Sequence, residues 1–261
     1  MGSIHTITTR PLSEFVDFLW LAEGYAQPHA AERILPTGRM DLVVNLDETP
    51  GWRTVAAGAR SASMVLSTAQ PLTLMGVGFR PGGGFPFFAC PAGELQDLSI
   101  PLDALWGATA NFLREQLLEA TTVADRFAIL ESHLLEYLHA RSSAPRRHPA
   151  IHYALNAFQS GSPATTVAAI VEHTGLSARK FIELFRSQVG LTPKVFSRMC
   201  RFRRALASIG PAADLDWAET ALACGYFDQA HFIHDFRQFA GVSPAAYLRR
   251  RTTNPNHLRI P

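Results

Sequence analysis

At 261 residues the chain has room for two domains of ordinary size. Its 47% hydrophobic and 18% charged residues suit a well-cored globular protein and exclude a disordered one, and no apolar run reaches the roughly 18 residues that span a bilayer. The formal charge of +2 conceals an asymmetry: residues 1–149 hold 11 Lys/Arg against 15 Asp/Glu, a net of −4, whereas residues 150–261 hold 13 against 7, a net of +6. A basic half joined to a mildly acidic one is expected where one part meets polyphosphate and the other does not. The start, Met1-Gly2-Ser3-Ile4-His5, lacks the basic and apolar regions of a secretory signal. Three widely spaced cysteines, Cys90, Cys200 and Cys224, argue against a disulfide framework and fit a reducing, cytoplasmic setting.

In chain order, Met40–Leu46, Met64–Leu66 and Leu72–Phe79 read as strands, being short apolar runs with recurrent β-branched residues between Gly/Pro breaks. Leu105–Glu119 then reads as a helix carrying Leu105, Trp106, Phe112, Leu113 and Leu117. Thr122–Ala140 reads as a second, opened by the capping-box-like Thr122-Val-Ala-Asp125, with Phe127, Leu130, Leu134 and Leu138 on one face. Residues 1–141 are therefore expected to form a β-rich, small barrel-like domain closed by a helical pair, which packs on the barrel or meets a second subunit. The polar, basic, proline-flanked residues 142–149 read as a linker. Beyond it the periodicity is helical throughout, with no strand: an all-α domain over 150–250 and a tail at 251–261. The fold class is α+β.

Residues 163–193 and 214–244 are an internal repeat. Phe181, Phe185-Arg186, Gly190 and Thr192-Pro193 recur 51 positions later as Phe232, Phe236-Arg237, Gly241 and Ser243-Pro244. The turn glycines Gly175 and Gly225 are offset by only 50, so the second turn is one residue longer. Each unit reads as helix, glycine turn and second helix, the helix-turn-helix plan in which the second helix enters the major groove of DNA. Glycine ends each first helix in a left-handed conformation, and Ser177 and Asp228 then cap the second. With Phe181, Leu184, Phe185 and Val189 inward, the first such helix presents Arg179, Ile182, Glu183 and Arg186. With Phe232, Phe236 and Phe239 inward, the second presents Ala230, Ile233, His234 and Arg237, with Gln229 and His231 at the margins. An outward isoleucine suits thymine methyls, Arg179 suits guanine, Gln229 adenine and Glu183 cytosine. The base-reading set is therefore Arg179, Ile182, Glu183, Gln229, Ala230, His231, Ile233 and His234. A long helix over Thr192–Ser208 joins the units, with Phe196, Met199, Phe202 and Leu206 as its apolar stripe. Backbone contacts are expected from Ser177, Lys180, Arg186, Lys194, Arg198, Arg201, Arg204 and Arg237, although Arg203 and some of the others could instead serve a solvated face or pair with acidic neighbours.

The strings Gly175-Leu-Ser-Ala-Arg-Lys-Phe-Ile-Glu-Leu-Phe-Arg186, Gly190-Leu-Thr-Pro193, Arg201-Phe-Arg-Arg-Ala205-Leu206 and Gly225-Tyr-Phe-Asp-Gln-Ala-His-Phe-Ile-His-Asp-Phe-Arg237, with Gly241-Val-Ser-Pro244, resemble the AraC/XylS-type regulator domain over roughly residues 150–250. The resemblance implies seven helices that dock both units in successive major grooves of promoter or operator DNA. It also implies an N-terminal domain that senses a small-molecule effector or mediates homodimerisation, and RNA polymerase as a further partner. Departures from the pattern lie at Val167-Ala-Ala-Ile170 and Pro211–Trp217, where Leu215 stands in for a usual isoleucine. Leu35–Leu46 and Gly76–Phe88 resemble an uncharacterised domain attached to some of these regulators.

In that N-terminal half, Arg80 beside Pro81-Gly82-Gly83-Gly84 could clamp an anionic effector against Phe85, Phe87 and Phe88, or simply bond loop carbonyls. The triglycine lacks the Gly-Lys-Ser/Thr of a phosphate loop, and His29, Glu32 and Asp41 lack a compact ligand spacing. No cofactor, metal or catalytic residue is expected. The reading is a DNA-binding, effector-responsive transcription regulator and not an enzyme. Its alternative is a small-molecule-binding or catalytic N-terminal domain carrying a helical protein-interaction module.

Overall fold

Two strands with apolar residues on the covered face, Val16–Tyr25 (β2) and Leu72–Phe79 (β7), pair antiparallel and form the centre of the N-terminal sheet. The computed structural model describes residues 3–27, 29–47, 52–68, 70–140, 146–161, 165–209 and 216–260. Around this pair lie Ser3–Ile7 (β1), Asp41–Asn45 (β4), Thr54–Ala57 (β5) and Ser99–Pro101 (β8), in the order β1-β2-β7-β4-β5-β8. Ala31–Ile34 (β3) and Met64–Ser67 (β6) belong to a second, three-stranded sheet. The expected barrel is not closed: β1 and β8 are the free edges of an open six-stranded sheet among the described residues.

The helix expected over Leu105–Glu119 is two, Asp103–Trp106 (α1) and Ala108–Glu119 (α2), broken at Gly107 with φ +60°. Phe112, read as part of its apolar set, is exposed. Val123–Ala140 (α3) begins as read, with Thr122 accepting from the Asp125 amide and donating to its carboxylate. Leu113, Leu117, Phe127, Leu130 and Leu134 are buried, so the helical pair covers the sheet.

The C-terminal helices are Pro149–Ser160 (α4), Val167–Thr174 (α5), Ala178–Val189 (α6), Pro193–Ser208 (α7), Trp217–Ala223 (α8), Gln229–Ala240 (α9) and Pro244–Arg250 (α10). Pro149 is therefore the first residue of a helix, where its missing N–H costs nothing. Of the expected linker, residues 142–145 lie outside the described residues, as do residues 211–215 of the Pro211–Trp217 departure. Arg147 of the linker is tied down, its guanidinium donating to the Gly82 carbonyl at 2.9 and 3.2 Å. No helix among the described residues is long and apolar enough to cross a membrane.

The expectation of an all-helical C-terminal part fails in the tail. His257–Arg259 (β9) pairs antiparallel with β3 and completes the second sheet as β6-β3-β9. Three residues are too few to register as a strand by alternation; the pairing with a distant segment makes it one. Its His257 reaches Glu32, which is fully buried. The Glu32 carboxylate accepts from the Tyr25 hydroxyl and lies 3.1 Å from His29 Nε2 and 2.8 Å from His257 Nδ1.

These contacts join the two halves. One apolar cluster runs from Leu12 of the N-terminal domain through Phe79 and Phe87 to Phe181, Phe185 and Phe196. The last turn of α6 lies on the turn Ala92–Glu94. There a Cβ on Gly93 would stand 2.6 Å from Arg186 Cγ and 3.1 Å from the Arg186 carbonyl oxygen, so only glycine admits this approach. The second unit is held by the Ser63 amide donating to the Phe239 carbonyl at 3.0 Å and by the Leu35 amide donating to Asn256 at 2.8 Å.

Gly93→Ala is expected to push α6 off the N-terminal domain and to destabilise the protein by about 1–3 kcal/mol, read as a lower melting temperature. The Glu32 network adds a pH dependence. Burial pushes the Glu32 carboxyl up, but hydrogen bonds from Tyr25 and His257, the His257 charge and His29 outweigh it and hold the group below its ordinary value of 4.5. A carboxyl lowered on folding contributes stability above its unfolded pKa that is lost as pH falls through the folded one. Wild-type stability should therefore drop below about pH 4.5, and Glu32→Gln should be less stable at pH 7 with a shallower acid limb in urea titrations.

Candidate nucleic-acid interface

The internal repeat becomes a geometrical repeat. In the first unit α5 ends at Gly175 (φ +67°), and Ser177 accepts from the Lys180 amide to start α6, which ends at Gly190 (φ +90°). In the second, Gly225 (φ +84°) follows α8, and Asp228 accepts from the His231 amide at 2.7 Å to start α9, which ends at Gly241 (φ +69°). Positive φ strains any residue bearing a Cβ, which is why both turns and both helix ends are glycine. Thr192-Pro193 and Ser243-Pro244 then start α7 and α10 with the same cap and the same first-turn proline.

Phe181, Phe185 and Val189 of α6, and Phe232, Phe236 and Phe239 of α9, are buried, as the periodicity requires. Each helix is seated by edge-to-face ring contacts on α7: Phe185 on Phe196 at 5.6 Å, and Phe236 on Phe202 at 5.2 Å. The opposite faces are open. Arg179, Lys180, Ile182 and Glu183 are exposed along α6, and Gln229, Ala230, His234 and Arg237 along α9. Two members of the expected reading set are partly withdrawn. Ile233 packs against the separate apolar cluster of Phe202, Phe232, Phe236 and Phe239, the second core, and His231 sits 3.9 Å from the Asp235 carboxylate with its ring edge-on to Tyr226.

Arg179 Nε donates to Glu183 at 2.9 Å across one turn of α6. Both ends are solvent-exposed, so the pair contributes little to stability.

The start of α5, α7 and α9 enclose a cleft of about 570 Å³. Lys194, Ser197, Arg198, Arg201, His231, His234 and the α5 cap Thr166 are among its lining residues. Thr166, Ser197 and Gln238 of this cleft were missed in the sequence, because small and amide side chains give no signal until their elements are brought together. Lys194 is exposed, and Arg201 lies over the Tyr226 ring at 5.5 Å.

Three of the arginines considered as backbone contacts are bonded to acceptors within the chain, and a fourth, Arg186, is exposed with its base against Gly93. Arg198 makes a two-pronged bond to Asp235, Nη2 to Oδ1 at 2.6 Å and Nε at 3.1 Å, with Asp235 only 1% exposed. Arg204 donates to the Phe158 carbonyl and Arg203 to Asn256. In each of these three a nearby acceptor competes with solvent for the guanidinium. The N-terminal residues singled out for an effector do not share a wall: Arg80 is exposed, whereas Phe87 is fully buried against Phe79 at 4.9 Å and Phe85 is in the same core.

Residues 170–250 match a family model described as a helix-turn-helix domain, and residues 7–101 match a domain of unknown function, DUF6597. No curated protein matches the chain in sequence. Among solved structures, ToxT from Vibrio cholerae in a P21 crystal form is 10% identical, with 95% of this chain and 97% of that one covered at a TM-score of 0.41. ToxT from Vibrio cholerae O395 bound to (E)-4-(8-methylnaphthalen-1-yl)but-3-enoic acid is 9% identical, with 95% and 98% covered at 0.43. At these scores the likeness is one of general outline.

Breaking the Arg198–Asp235 pair from one side should leave a buried charge alone. Arg198→Ala is expected to cost about 3 kcal/mol, read by urea denaturation, and Arg198→Met with Asp235→Leu should recover most of it.

Proposed function

We infer that this chain, which carries an AraC-type helix-turn-helix domain at residues 170–250, is a sequence-specific transcription regulator that grips duplex DNA with both units. The observation that carries this is the pairing of two capped helices, each with one face buried and the other open, both seated on α7, whose Lys194 and Arg201 line a cleft beside α9. The exposed Arg179, Ile182 and Glu183 of α6 would read one major groove, and Gln229, Ala230 and His234 of α9 the next. Lys194 and Arg201 would meet the phosphates that cross this cleft, where a positive charge displaces condensed counterions.

The N-terminal domain would act as the effector-responsive part. Support comes from its contacts: it touches the first unit at Gly93, the second at Phe239 and the tail through the β3–β9 pairing. A small molecule bound in that half could bias both units at once. Action on promoter DNA would place the protein in the cytoplasm.

A mobility-shift titration against a promoter library at two salt concentrations tests the inference. Affinity should fall steeply with salt, and no duplex affinity even at low salt would exclude the function. Arg179→Ala should cost about 1–3 kcal/mol at one base position. Arg201→Ala should weaken all sequences alike and reduce the salt slope by about one.

A further inference from the structure

The second turn is one residue longer than the first, and the structure identifies the surplus residue. Leu176, between Gly175 and the cap Ser177, packs on the first core. Its counterpart after Gly225 is Tyr226, buried with its ring 5.3 Å from Phe232. Phe227 is therefore the insertion. It is 85% exposed, the most open large apolar side chain among the described residues.

An apolar residue just before a helix cap ordinarily packs on the fourth residue of the helix. In α9 that residue is Phe232, and Tyr226 already covers it, together with Trp217 at 6.0 Å. Phe227 is left without this partner. It stands beside Asp228, Gln229 and Ala230, all exposed, at the end of a recognition helix that enters the groove first. The apolar reading residue expected on this unit, Ile233, is half-withdrawn into the core, whereas its counterpart Ile182 is 42% exposed.

The geometry points to Phe227 as the apolar DNA-reading side chain of the second unit, its ring lying against the C5-methyl group of a thymine at the edge of that half-site. This deepens the DNA-binding function inferred above and rests on it. Phenylalanine has no charge or hydrogen bond to offer a phosphate, and the thymine methyl is the apolar feature of the major groove.

The test uses the full-length protein and a duplex selected by it from random-sequence DNA. Phe227→Ala should keep the wild-type melting temperature and lose about fourfold or more in affinity, the worth of a buried methyl group, with no change in salt slope. Replacing thymines by uracil one at a time should reveal one position that weakens the wild type about fourfold and leaves Phe227→Ala unaffected. Phe227→Leu should retain the uracil sensitivity. Equal affinity of Phe227→Ala and wild type, or uracil effects identical in both, would overturn the assignment while leaving DNA binding intact. Failure of the wild type to select any duplex would instead remove both.

Discussion

Helix α7 must serve two cores at once, and the placement of both reading helices depends on that constraint. Phe196 belongs to the cluster shared by the N-terminal domain and the first unit, whereas Met199, Phe202, Ala205 and Leu206 belong to the cluster of the second. A single straight helix of 16 residues, about 24 Å long, therefore carries α6 on one part of its surface and α9 on another. Neither can shift without opening a packed aromatic contact. The Arg198–Asp235 pair adds a directional constraint, because a two-pronged guanidinium bond fixes the rotation of α9 about its own axis as well as its distance.

The basic residues of the C-terminal part divide between those bonded within the chain and those left exposed. Arg198, Arg203 and Arg204 bond to acceptors on other elements, and Arg147 closes the junction with the N-terminal domain. Arg179, Lys180, Arg186, Lys194 and Arg237 are exposed, and Arg201 is half-buried.

The N-terminal domain contributes more than a tethered neighbour would. The first unit shares its apolar cluster, and the tail beyond the second lends it a strand. Tyr25, His29, Glu32 and His257 concentrate polar contacts at that strand, far along the chain from the Gly93 contact with α6. The two seams lie in opposite halves of the C-terminal part's sequence, one at α6 and one at the tail strand.

Much of the C-terminal half was legible in the residues because its determinants are local. A glycine that must take positive φ, a Ser, Thr or Asp one turn before an amide that needs an acceptor, and phenylalanines every three or four positions each act within a few residues. The repeat offset located the extra residue of the second turn in the same way. What only the tertiary structure decided depends on segments distant in sequence: the open sheet in place of a barrel, the tail strand on β3, and the burial of Phe87. The same holds for the arginines, since one beside a carbonyl or carboxylate 30 or more positions away is indistinguishable in the sequence from one facing water. Local conformational preference is written residue by residue, whereas the fate of a charge or an apolar ring is settled by which surfaces the fold brings within a few ångströms of it.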